Sequence, residues 1–218
     1  VVIRKNLNEQ IYEEIKRDII EQRIKFGDKL INKELRDKYN VSSTPVRDAI
    51  NRLHNDGLLD NITNSGARVI NFDNKFATEI NEIISMLSAE AIKLSAKKSD
   101  VSEVAVILRN CIKLQRDNID NTSYFEYDKN FHMTFFEFCK NESFKQIYSQ
   151  YQTLWEILVK FYYKDGEFTR ARAIDQHQHI LEAYEQVDIP LAQRYLEQHY
   201  LDAVRPLSKL PNGTDPAL

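Results

Sequence analysis

Glycine is confined almost entirely to one end of this chain. Gly27, Gly57 and Gly66 fall within the first 66 residues, only Gly166 and Gly213 follow, and no glycine stands between Ala67 and Asp165. A stretch that long without its main chain-breaking residue, carrying apolar side chains at helical spacing, is restricted to packed helices joined by short links. The first third, by contrast, contains several sharp turns. With 5 Gly and 5 Pro in 218 residues, a turn-rich β protein is excluded. The expected fold is mainly α. A small domain spans residues 1–72, an all-α antiparallel bundle of about six or seven helices spans residues 73–207, and a frayed tail covers 208–218.

Composition narrows the class. Apolar residues make up 42% and charged residues 29%, enough for a real core and too ordered a balance for a disordered chain. The longest apolar run is a few residues, far short of the roughly 20 that a membrane helix needs. The opening VVIRKNLNEQ lacks the apolar stretch of a secretory signal. Two cysteines, Cys111 and Cys139, make no disulfide framework, so a cytoplasmic setting is expected.

Residues 8–23 carry Ile11, Ile15, Ile19 and Ile20 at helical spacing. Phe26-Gly27-Asp28 turns the chain. Residues 32–39 form a short helix, with Asn32 as cap and Leu35 and Tyr39 facing inward. A further helix opens at Ser42-Ser43-Thr44-Pro45, where a serine caps and Pro45 suits the first turn; Val46, Ile50 and Leu53 line one face and Gly57 ends it. Leu58–Ile62, a turn at Asn64-Ser65-Gly66, and Ala67–Ile70 read as a two-stranded hairpin. Helices joined by a tight link and followed by a hairpin make a winged helix-turn-helix of three helices plus a β-hairpin wing. Such a motif sends the start of its recognition helix into the major groove. Here that end carries Ser43, Thr44, Arg47 and Asp48, and Arg47 has the fork for guanine or phosphate. Gly66 at the wing tip lets backbone approach DNA, with Arg68 behind it. Residues 1–72 hold 13 basic against 11 acidic side chains, a net of +2, leaving −5 for the rest of a chain whose total is −3. That asymmetry permits nucleic-acid binding without establishing it.

The run from Ile11 to Val69, through IYEEIKRDII, GDKL, NKELRDKYNVSSTPVRDAINRLHNDGLL and SGARV, resembles the GntR-type winged helix. The resemblance implies double-stranded operator DNA as the partner and places DNA contacts on Lys33, Ser43, Thr44, Arg47 and Gly66. Thr44, Arg47 and Gly66 match the family's residue types. Lys33 and Ser43 stand where the family carries arginine. Lysine holds a phosphate but lacks the arginine fork, so an altered half-site is expected.

In the helical region, Ile80, Ile83, Ile84, Leu87, Ala91 and Leu94 form one stripe. Val101, Val104, Ile107, Leu108, Ile112 and Leu114 form another. Asp128 and His132 are spaced i, i+4, and Phe135 and Cys139 continue their face inward. His177 lies on the stripe of Ile174, Leu181 and Tyr184; His199 lies on that of Ala192, Leu196 and Ala203; His179 faces elsewhere. Three inward histidines and one aspartate on three helices are positioned to converge on a divalent ion. Satisfied core histidines are the other reading of the same spacing, and spacing alone does not separate the two.

Residues 76–205 resemble the FCD ligand-binding domain of the FadR branch of GntR regulators, through DKNFH at 128–132, FCKNESF at 138–144, QHQHILEAY at 176–184 and LAQRYLEQHY at 191–200. The resemblance implies one divalent metal ion per chain, Zn, Ni, Mn or Fe, on Asp128, His132, His177 and His199. It also implies a small-molecule effector, with a carboxylate as the expected class. The family commonly sets an arginine four residues before a glutamate in the domain's first helix to hold that carboxylate. Glu90 matches the glutamate, and Met86 stands at the arginine position. Methionine offers no donor. For an effector pocket around Met86 and Glu90, either the effector's acid binds the metal alone, or another cation serves, or the effector is not a simple acid; Arg109, Lys113, Arg170 and Arg172 are the candidate cations, and solvated surface charge is the commoner reading of each. Glu90, on the stripe of Ile83, Leu87 and Leu94, is expected to face inward.

The combined expectation is a cytoplasmic bacterial transcription regulator, not an enzyme. It would act as a homodimer on a palindromic operator with half-sites about one helical turn apart. The ligand set permits a second reading, a metal-dependent hydrolase with an accessory DNA-binding domain. Against it, the sequence has no nucleophile elbow and no phosphate-cradling glycine loop. A third is an architectural DNA binder whose bundle only dimerises.

Overall fold

The turn-rich first third folds around a three-stranded sheet. In the computed structural model, which describes residues 7–71, 73–162 and 169–204, helix α1 (Leu7–Ile20) is followed by strand β1 (Lys29–Ile31), α2 (Asn32–Tyr39), α3 (Ser43–Asn55), β2 (Leu59–Thr63) and β3 (Gly66–Val69). Ile11, Ile15 and Ile19 bury one face of α1 against α3, whose Val46, Ile50 and Leu53 are equally buried. The helix-turn-helix follows from this packing. The wing is one strand larger than expected. β1 pairs antiparallel with β3, giving the order β1-β3-β2 with Leu30 opposite Ala67 and Ile31 opposite Gly66. A three-residue Lys-Leu-Ile strand is too short to announce itself by alternation.

Asn32 does not cap α2. Ile31 holds the cap position, and the Asn32 amide donates instead to the Asn64 carbonyl at 3.0 Å, tying α2 to the wing turn. Asp18, buried near the end of α1, accepts from Arg23 Nε at 2.7 Å and Lys38 Nζ at 3.0 Å. Burial raises its pKa, but the two cations outweigh that and hold the carboxyl below its ordinary range.

The remaining described residues are six helices: α4 (Asn74–Lys98), α5 (Val101–Asp117), α6 (Tyr124–Phe138), α7 (Glu142–Tyr162), α8 (Arg170–Glu185) and α9 (Ile189–Val204). Asp73, Asp100 and Thr169 cap α4, α5 and α8 by accepting from the Phe76, Ser102 and Arg172 amides. α4 packs on α9, α6 and α7; α5 packs on α6 and α8; α8 packs on α9. The expected tail at 208–218 lies outside the described residues. α7 also reaches the first domain. Lys16 Nζ donates to Thr153 Oγ1 at 3.3 Å, and Leu154 Cδ1 stands 3.2 Å from where a Cβ on Gly57 would lie.

A Cβ at Gly66 would meet the Leu30 carbonyl oxygen at 1.8 Å, so glycine there is what lets β1 join the wing. Gly66→Ala is expected to destabilise the winged helix by roughly 1–3 kcal/mol through overpacking. A lower urea midpoint, with hydrogen exchange quickened in β1 and β3, checks this.

Candidate metal centre and DNA-binding face

Three elements of the bundle bring imidazoles together. His132 comes from α6, His177 from α8 and His199 from α9, with relative exposures of 3%, 0% and 3%. Each offers a ring nitrogen lying within 4.8 Å of the other two, and ring centroids are 4.6–5.2 Å apart. Asp128, one turn before His132, places Oδ1 3.9 Å from His177 Nε2 and accepts from the Tyr124 hydroxyl at 3.3 Å. The three histidines predicted as ligands thus cluster, with Asp128 beside them at His177. Exposed His179 stays outside the cluster.

The outer nitrogens are tied down. Nδ1 of His177 faces Gln115 Oε1 at 3.0 Å, Nδ1 of His199 faces Gln176 Oε1 at 3.0 Å, and Nδ1 of His132 faces the Tyr200 hydroxyl at 3.2 Å. An amide oxygen only accepts, so Nδ1 of His177 and His199 carries the proton and the inner nitrogen keeps its lone pair. Nε2 of His132 and of His177 is buried with no hydrogen-bond partner. Buried polar atoms rarely go unpaired. A divalent cation would satisfy both, and outer hydrogen bonds of this kind orient ligating histidines. The donor set of imidazoles and one carboxylate fits Zn, Ni, Mn or Fe.

Burial holds His132 and His177 well below the ordinary imidazole range, reinforced by the neighbouring rings, and pushes His199 down to about 4 against the pull of Asp202. Burial pushes Asp128 up to about 7; the Tyr124 hydrogen bond opposes this, and the charge of Glu156 adds to it.

A narrow cleft of about 20 Å³, room for little more than a water, opens beside Asp128 and His132, with Phe125 and Lys129 from α6 on one wall and Gln152, Trp155 and Glu156 from α7 on the other. The sequence reading missed this wall. Met86 and Glu90 do not belong to it. Met86 is 73% exposed and Glu90 pairs with Lys93 at the surface. The reason is the phase of α4. Its buried face runs through Ala77, Ile84, Ser88, Ala91 and Ser95, with Ser88 bonded to Tyr200 and Ser95 to Tyr184, so Glu90 rotates outward. The four candidate cations are elsewhere too. Arg109 pairs with Glu185, Arg172 with Asp202 at 2.5 Å, Arg170 donates to the Ile119 and Asn121 carbonyls, and Lys113 is exposed away from the cleft. Among the described residues, Lys129 is the basic side chain lining the cleft. Gln115 was legible in principle, as a polar residue continuing the buried Val104, Leu108, Cys111 line.

On the first domain, Thr44, Arg47 and Asp48 are exposed along the start of α3, and Lys33 is exposed on α2. Ser43 is exposed and accepts from Arg36 Nη1 at 3.1 Å. Asp48 accepts from Asn8 at 2.8 Å. Arg68 is half-buried and donates to the Gly27 carbonyl at 2.6 Å, and Gly66 is buried in the sheet ladder.

Comparison with known proteins agrees with this architecture. The model of the bacterial regulatory proteins of the gntR family matches residues 7–69, and that of the FCD domain matches residues 79–202, more than half of the chain. The chain belongs to the FCD-domain GntR family of transcription regulators. It is 22% identical over 194 residues to the HTH-type regulator YdhC of Bacillus subtilis (strain 168), covering 88% of this chain and 86% of YdhC. It is 30% identical over 120 residues to the Nta operon transcriptional regulator of Aminobacter aminovorans, covering 53% and 56%. Its fold is similar to that of Escherichia coli McbR/YncC, with a TM-score of 0.70, 19% identity and coverage of 94% and 99%. These matches are to regulators, not enzymes, and the hydrolase reading falls with them. Among the described residues no helix is long and apolar enough to cross a membrane.

Neutral buried imidazoles make stability depend on pH. Unfolded imidazoles titrate near 6.5 and the folded ones lower, so the unfolded chain takes up more protons as pH falls, and stability falls with it. Asp128 acts in the opposite sense, holding a proton below about 7 that an unfolded carboxyl near 3.8 releases. Three imidazoles outweigh one carboxyl. Chelator-treated protein is expected to lose on the order of 1–3 kcal/mol per pH unit below about pH 6.5. Thermal denaturation in chelator at about pH 7.5 and about pH 5, with His199→Gln reducing the loss, checks this.

Proposed function

We propose that this chain is a cytoplasmic, homodimeric, metabolite-responsive regulator whose bundle holds one divalent metal ion on Asp128, His132, His177 and His199. The observation that carries the reading is the pair of orphaned Nε2 atoms of His132 and His177, aimed inward and held by hydrogen bonds on their other side. The metal, when bound, supplies a Lewis-acidic anchor for an anionic effector. Tyr124 steadies the Asp128 carboxyl, Gln115 and Gln176 fix the rings, and the narrow cleft beside His132 is where a small molecule would approach, parting α6 from α7 to enter.

Residues 1–72 bind one half of a palindromic operator, residues 73–207 carry the effector site and the dimer contact, and Asn71–Lys75 is the hinge between them. Thr44 and Arg47, exposed at the start of α3, reach bases or phosphates in the major groove. Lys33 and Ser43 accompany them from the two helix starts, and Gly66 and Arg68 shape the wing. An effector changes operator affinity only as far as it prefers one placement of the two winged helices.

Elemental analysis of protein purified without chelator is expected to give about one metal per chain, and His132→Ala with His199→Ala to abolish it while leaving a folded dimer by light scattering. Retained stoichiometric metal in the double variant overturns the site. Arg47→Ala is expected to weaken binding to an operator selected by the wild-type protein by at least about tenfold at fixed salt, read by fluorescence anisotropy.

A further inference from the structure

Lys129 and Glu156 form an ion pair across the cleft, from α6 to α7, with Nζ 3.1 Å from Oε1. Lys129 directly follows Asp128 and sits one turn before His132, so the pair stands beside the candidate ligands. It also borders two hollows. The inner cleft beside Asp128 and His132 and an outer depression lined by Thr122, Ser123 and Glu126 share Phe125, Lys129 and Glu156. A molecule passing from that depression toward His132 passes beside the pair.

We propose that this pair selects an amphoteric effector, a small molecule carrying both a carboxylate and a protonated amine. The inference rests on the regulatory reading above. The physical argument is one of replaced partners. A half-wet ion pair opens readily, because such pairs contribute little in water. Once opened, each charge needs a new partner, and Glu156 is already mostly hidden, with its side chain 22% exposed. A simple acid serves Lys129 but sets its own negative charge beside Glu156. A simple amine serves Glu156 but is repelled by Lys129 and by a metal behind it. An amino acid serves both at once. Lys129 thereby takes the place of the cation missing at Met86, and Glu156 adds a discrimination that a lone cation lacks.

The test uses the full chain loaded with Zn, its metal content measured in every sample. The probes are amino acids beside their deaminated counterparts: L-glutamate with glutarate, 4-aminobutyrate with butyrate, and a thermal-shift panel of the common amino acids with the matching acids. The expected result is that an amine-bearing probe binds at least about tenfold more tightly than its counterpart, and that Glu156→Gln brings the two within about threefold. Lys129→Met is expected to weaken both members of each pair. An amine that merely chelates the metal keeps its preference in Glu156→Gln, so a surviving preference overturns the proposal. Equal or tighter binding by the acids overturns it as well, as does failure of every amino acid to shift the Tm at millimolar concentration. Absence of metal from wild-type protein is a separate failure, of the metal centre itself, and is read directly from the elemental analysis.

Discussion

Three imidazoles meeting in a dry helical interior can hold only one charge state. Each ring is too buried to be protonated alone, and each protonated ring would repel the others. The bundle is arranged around that constraint. Gln115 from α5 and Gln176 from α8 each present an oxygen to a ring, and Tyr200 presents its hydroxyl to the third. Phe131 stacks on His177 at 4.1 Å between centroids. Ser88 from α4 bonds to Tyr200. Helices α4, α5, α6, α8 and α9 are thereby tied to one small volume. A core of aliphatic side chains would fill it at lower cost in polar groups. That it is not so filled is the strongest physical sign that the volume is kept for something other than stability.

Much of this was legible before any coordinates. The i, i+4 spacing of Asp128 and His132, and the phase of His177 and His199 on their stripes, follow from helix geometry alone, and the structure clusters the three histidines with Asp128 beside them. The winged helix was equally plain, because Pro45, Gly57 and the apolar positions of α3 each report a different part of the same motif. What escaped was whatever depended on phase within a long helix. Counting only aliphatic side chains rotated α4 toward Ile83, Leu87 and Glu90, whereas its true inner face includes Ser88 and Ser95, which are buried because tyrosine hydroxyls await them. The same bias chose Leu114 over Gln115. The far wall of the cleft was invisible for another reason. Gln152, Trp155 and Glu156 owe their position to the packing of α7, and no local pattern says which neighbour a helix face will meet.

The wing shows a related limit. Gly66 reads as a tip residue free to approach DNA, yet its lack of a side chain is required inside the protein, where the Leu30 carbonyl takes the space of a Cβ. Arg68, expected behind the tip, holds the Gly27 carbonyl and so braces the turn that delivers β1. Both residues shape the wing by what they do within it.

Helix α7 is a wall of the cleft beside His132 and a contact for the winged-helix domain within little more than one turn. Gln152, Trp155 and Glu156 face the cleft, while Thr153 and Leu154 meet Lys16 and Gly57, two residues beyond the end of α3. The two sets of contacts are therefore interleaved along one rod, and no relay of side chains has to connect them. Anything that rolled or tilted this rod would move the footing of the winged helix in the same stroke.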